Sequence, residues 1–174
     1  MPRATRVLGP GQRQDGGPVS DTVILDYEQR SGQKTTVSSV KGSMIDIDLL
    51  TPTRLRTDDL LLLEDGGVVE VVAAPEPLIE ARAVDLAALA RLAWHLGDRH
   101  VPVQVLANRL RARRNPANES LLTSLGAKVT AIEAPFEPEG GAYASSHDHA
   151  HDHAHGHVHS HGHHHAHGHD HRDR

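Results

Sequence analysis

The sequence predicts an α+β protein in three parts: a small β-rich domain, a ferredoxin-like βαββαβ domain and a disordered His-rich tail. Three observations lead there. Apolar residues alternate with polar ones in short runs through the first half of the chain, and a proline pair then introduces strand and helix patterns in turn. Near the end, histidine takes almost every second position.

Residues 1–20 are rich in Gly, Pro and Arg without apolar periodicity, which predicts a flexible lead-in with a short strand at 5–8. From residue 21 to 74 the pattern is that of strands. Residues 22–27 form a mostly apolar, β-branched run, and Ile45, Ile47 and Leu49 alternate with Asp46 and Asp48 as a half-buried strand requires. Residues 60–63 and 68–72 flank Glu64-Asp65-Gly66-Gly67, whose glycines permit the positive φ of a tight hairpin. Long helices are not expected in this part.

Ala74-Pro75-Glu76-Pro77 marks the predicted domain boundary, because prolines two positions apart interrupt ladder bonding. Residues 75–134 then read strand (78–83), helix (84–96, closed by Gly97), two strands (102–106 and 108–112), helix and strand (128–132). The first helix rests on Leu86, Leu89, Ala93 and Leu96 at spacings of three and four. Asn115 caps the second ahead of Pro116, Leu121, Leu122 and Leu125 supply its apolar face, and Gly126 ends it. This order is a split βαβ unit. Residues 135–174 are expected to leave the fold, given Pro135, Pro138, Gly140 and Gly141.

Composition narrows the function. Among 174 residues there is no cysteine, which removes disulfides, thiolate metal sites and thiol catalysis together. No apolar run approaches the ~18 residues of a membrane span, mean hydropathy is −0.45, and residues 1–17 lack the apolar stretch of a signal peptide. A cytoplasmic protein without membrane contact is expected. Net charge is −5, of which the segment from residue 145 onward supplies −2, and aromatic residues are 2%, so nucleic acid is not an expected partner.

The tail carries the clearest chemistry. Fourteen of the sixteen histidines lie there: His147, His149, His151, His153, His155, His157, His159, His161, His163, His164, His165, His167, His169 and His171. Spaced mainly by Asp, Ala and Gly, they cannot pack a core, but they offer imidazoles to several metal ions in no single geometry. Imidazole suits nickel, copper, zinc and cobalt, and the Irving–Williams order prevents affinity alone from choosing among them. A purification tag is a contiguous block, unlike this alternating segment. The tail alone fits a nickel, copper or zinc buffer or storage protein as well as a delivery protein.

Elsewhere the only imidazoles are His95 and His100. Taken by themselves both read as structural, His95 beside Trp94 at a helix end where positive charge suits the dipole. Arg109, Arg111, Arg113 and Arg114 read as a charged strand edge, or as a surface for an acidic partner. The scattered glutamates suggest no acid–base pair. With no GxxxxGK[ST] stretch either, the chain is not expected to be an enzyme.

Three blocks carry a resemblance: Ala93-Trp94-His95-Leu96-Gly97-Asp98-Arg99-His100 with Pro102 and Gln104-Val105, then Leu125-Gly126-Ala127, then Pro135-Phe136-Glu137-Pro138-Glu139-Gly140-Gly141-Ala142-Tyr143. They resemble the urease accessory protein UreE family, as do, more weakly, residues 25–30 and 60–77. The resemblance implies a homodimeric nickel metallochaperone that delivers nickel to apo-urease through the accessory GTPase during urease maturation. It also implies a β-rich domain that meets partners or peptides and a ferredoxin-like domain that binds metal and dimerises. The family's metal-binding His at the dimer axis corresponds to His100. Some relatives carry further His ligands before the second helix, where this chain has Arg113-Arg114-Asn115-Pro116. The expectation is therefore that tail residues such as His147 and His149 complete a site begun by two His100 side chains.

Overall fold

The computed structural model describes residues 1–140. Residues Met1–Glu139 make one compact α+β unit holding two sheets. The first contains β1 (Arg3–Leu8), β2 (Asp21–Leu25), β3 (Lys34–Ser38), β4 (Met44–Asp48), β5 (Leu60–Leu63) and β6 (Val68–Ala73), in the order β2-β6-β5-β1-β4-β3. Its two end strands approach each other: Val23 and Ser39 form a bridge, and Val40 N–H donates to the Thr22 carbonyl at 2.8 Å. The sheet thereby curls around a core of Ala4, Val23, Leu25, Val37, Ile45, Ile47 and Leu55 and covers its own edges.

Alternation accounts for β4, where Ile45 and Ile47 are buried between more exposed neighbours. The hairpin turns where the glycines lie, with Gly66 at φ 87° and Leu63 N–H bonded to the Gly67 carbonyl. Two expectations change here. The short strand expected at 5–8 is β1, which begins at Arg3 and, instead of belonging to a flexible lead-in, sits inside the sheet between β5 and β4 with Ala4 fully buried. Only Ala4 and Leu8 of this strand are buried, too few to form a periodic signal in the sequence. Residues 10–15 add a 3-10 helix. The apolar run at 22–27 also stops early, because Asp26 starts the short helix α1 (Tyr27–Ser31) with a reciprocal capping box: Gln29 N–H donates to Asp26 Oδ1, and Asp26 N–H to Gln29 Oε1.

The second sheet follows the ferredoxin-like order. It comprises β7 (Pro75–Arg82), β8 (Gln104–Leu106), β9 (Arg109–Arg113) and β10 (Lys128–Pro135), arranged β10-β7-β9-β8 with every pair antiparallel. Helices α2 (Leu86–Asp98) and α3 (Pro116–Ser124) connect the strands, and Leu89, Leu92, Leu96 and Leu122 pack onto Ile79, Ala81, Leu110 and Ala112.

The prolines of the linker lie within β7. Arg114 N–H donates to the Pro77 carbonyl, so the backbone polar groups of Pro77 face β9, whose registered pairing begins only at Leu78. The missing N–H thus falls outside both ladders, as a strand proline requires. The chain also leaves the fold later than residue 135: Phe136 is fully buried and edge-on to Tyr27, and Glu139 N–H donates to the Val103 carbonyl at 2.8 Å.

Candidate metal centre

His100 is placed by the end of α2. Asp85 starts this helix by accepting from Ala88 N–H at 2.7 Å, and its buried leucines hold it on the sheet. At the other end Gly97 remains helical, and the backbone reverses at His100, with φ 55°. His100 N–H donates to the Gly97 carbonyl at 2.9 Å and Val101 N–H to the Leu96 carbonyl at 3.0 Å. This bond pair is the Schellman motif, in which the left-handed position is most often glycine. Helix α3 closes with the same pair, Gly126 to Thr123 and Ala127 to Leu122, and there the left-handed residue is Gly126 at φ 83°.

A β-carbon in that region costs roughly 1 kcal/mol or more, and non-glycine residues that adopt it cluster at functional positions. His100 is exposed, so its imidazole is presented to solvent from a backbone pinned by two hydrogen bonds. His95 is half-buried one turn earlier with its ring edge-on to Trp94, centroids 5.0 Å apart. No group of three or more His, Asp or Glu side chains able to hold a metal occurs among the described residues. His100 can thus supply one nitrogen, and a complete shell needs ligands from elsewhere. The tail candidates from His147 to His171 lie outside the described residues.

The arginines proposed as a basic edge are engaged within the chain. Arg82 and Arg111 donate to Glu80 at 2.8 and 3.1 Å, and Arg109 Nε lies 3.0 Å from the same carboxylate, near enough for attraction but off the line of a hydrogen bond. Burial pushes the Glu80 carboxyl upward, yet bonds from Arg82 and Arg111 and the charge of Arg109 outweigh it and hold the group below the usual carboxylate range. Arg113 pairs with Glu28 and Glu76, and Arg114 with Glu119.

One buried cation had no sequence signal. Arg30 is 1% exposed, donating from Nε to the Leu25 carbonyl, from Nη1 to that of Leu55 and from Nη2 to that of Phe136. It ties the first sheet to the segment that leads away from β10, where Glu137 accepts from Thr57 N–H at 3.0 Å. The Asp26-x-x-Gln29 spacing was the one available clue to the short helix that carries it.

Comparison with known proteins covers both halves of the chain. Residues 4–74 match the N-terminal domain of the UreE urease accessory protein and residues 76–173 its C-terminal domain. Among similar proteins are urease accessory proteins UreE from Bradyrhizobium sp. strain ORS 278, 49% identical over 86% of this chain and 70% of that protein, and from Rhodopseudomonas palustris strain BisB18, 50% identical over 86% and 72%. A third, from Beijerinckia indica subsp. indica, is 44% identical over 86% and 88%. With a match in each half and identity near one half over most of its length, the chain belongs to the UreE urease accessory protein family.

Proposed function

We propose that this chain is a nickel-binding metallochaperone of urease maturation, passing nickel to apo-urease through the accessory GTPase. It acts in the cytoplasm as a homodimer and carries nickel as cargo rather than as a catalytic cofactor. The match of both halves to the urease accessory family is the observation that carries this reading.

The geometry around His100 supports it. Leu86, Ala90, Trp94 and Gly97 recur at spacings of four, four and three along an exposed stripe of α2, with Leu86 71% and Trp94 64% exposed. That apolar stripe runs toward His100 and suits contact with a second copy, in which a two-fold axis brings like residues together. Two imidazoles then face one ion, with positions left for tail histidines.

Reach permits this. Glu139 is bonded to Val103, three residues from His100, a span of at most about 10 Å, whereas the eight residues from Glu139 to His147 extend up to about 27 Å.

Deleting the gene separates delivery from storage. Loss of urease activity that added nickel restores is the expected outcome. Normal urease with heightened sensitivity to nickel, copper or zinc would instead make the protein a metal store.

A further inference from the structure

Helices α2 and α3 cover one face of the second sheet through Ile79, Ala81, Leu110 and Ala112, and the alternate positions of the strands form the opposite face. There Lys128 of β10 lies directly across from Arg82 of β7, and one further step of the β7–β9 register places Arg109 across from Arg82. Three adjacent strands thus carry a cation in one row, and Arg111 stands in the next row opposite Glu80. Like charges directly opposite one another weaken a sheet, so strand pairing alone does not account for this row.

Glu80 is the acidic side chain shared by this group. Its carboxylate accepts from Arg82 and Arg111 and lies 3.0 Å from Arg109 Nε, so three guanidiniums share two oxygens. Arg109 Nε is buried without a hydrogen-bond partner, and Lys128 is exposed and makes no ion pair among the described residues. Four cations against one carboxylate leave an excess of three positive charges, which pairing with Glu80 does not remove. The other end of the face is balanced, because Arg113 meets both Glu28 and Glu76.

We propose that the row Lys128–Arg82–Arg109 docks an acidic segment of a partner protein. Adjacent strands are about 4.8 Å apart, so the three cations span roughly 10 Å. Carboxylates at positions i and i+4 of a helix, with β-carbons about 6 Å apart, match that spacing, and each guanidinium fork suits paired carboxylate oxygens. The row is short, and Leu106, Thr130 and Gln104 beside it on the same face are not aromatic, which disfavours nucleic acid. The inference rests on charge placement alone, whatever metal the chain carries.

The test is titration of the metal-free full chain, at pH 8 where free imidazoles are neutral, into a fluorescent Ala-rich helical peptide with Glu at every fourth position. The same peptide with Gln for Glu and a short DNA duplex serve as comparison probes. Saturable binding of the Glu peptide is expected, with none of the Gln peptide, and affinity should fall as salt is added. Arg82→Gln/Lys128→Gln is expected to weaken it at least about tenfold, whereas Arg6→Gln/Lys41→Gln, which removes equal charge from the first sheet, leaves it unchanged. If circular dichroism shows the first variant unfolded, Lys128→Glu replaces it, since Lys128 holds no partner in the fold, and a several-fold loss is expected. No saturable binding of the Glu peptide, or affinity unchanged in the folded variant, overturns the proposal. Tighter binding of DNA through the same residues overturns it in favour of nucleic acid, and binding of the peptide only by a form ending at Tyr143 overturns it in favour of the chain's own tail.

Discussion

His100 ends α2 in the same backbone region in which Gly126 ends α3, so its imidazole is kept at a position where folding alone favours glycine. Replacing it therefore separates fold from chemistry. His100→Gly is expected to leave stability unchanged or raise it by up to about 1 kcal/mol in urea unfolding, while a dimer ending at Tyr143 loses its nickel in equilibrium dialysis. Nickel binding that survives the change would mean the ordered site lies elsewhere. Glu80 gives a second residue-scale test. Because its folded carboxyl ionises below the unfolded glutamate range, the ion cluster contributes fully above that range and is lost as pH falls through the lower folded value. Glu80→Gln is expected to cost about 2 kcal/mol at pH 7 and to remove part of the acid-side slope of stability against pH; a parallel curve would show that the cluster does not titrate as described.

Among the elements, those with strong local patterns were the most legible. The alternation at Ile45 and Ile47, the turn at Gly66-Gly67, Asn115-Pro116 ahead of α3 and the apolar spacing of α2 all correspond to elements of the fold. Boundaries moved where a side chain or a long-range partner decided them. Asp85 caps α2, so that the helix begins at Leu86, two residues beyond its predicted start, and the antiparallel register with β10 draws Pro75 and Pro77 into β7. Asp85→Ala is expected to lower the melting temperature, corresponding to about 1 kcal/mol, with metal stoichiometry unaltered, since the cap lies at the far end of α2 from His100. A change in stoichiometry would indicate that the start of the helix also shapes the site.

At the scale of the molecule, Arg30, Phe136 and Glu139 anchor the chain as it departs, so the point from which the tail begins is set relative to the end of α2. This predicts a division between an ordered site and bulk capacity. A form ending at Tyr143 is expected to retain about one nickel per dimer, bound more weakly, and to lose most of the ions held by the full chain. Free imidazoles protonate near pH ~6.5, so the capacity of the full chain should fall progressively as pH drops through about 6. Nickel stoichiometry that stays constant into clearly acidic solution would show that imidazoles are not the main ligands.

The α+β class, the strand and helix order of residues 75–134 and the pool of imidazoles were all present in the sequence alone, since periodicity, capping residues and composition act over a few neighbouring positions. Tertiary structure decided the rest. The central place of β1, the burial of Arg30 and the anchoring of Phe136 depend on partners far away in the chain. His100 owes its left-handed backbone to a helix that packing carries past Gly97, the residue at which the sequence suggested it would stop. Local preference selects which elements form, but where each one stops depends on what it packs against, and that is why a histidine stands at the turn where a glycine was expected.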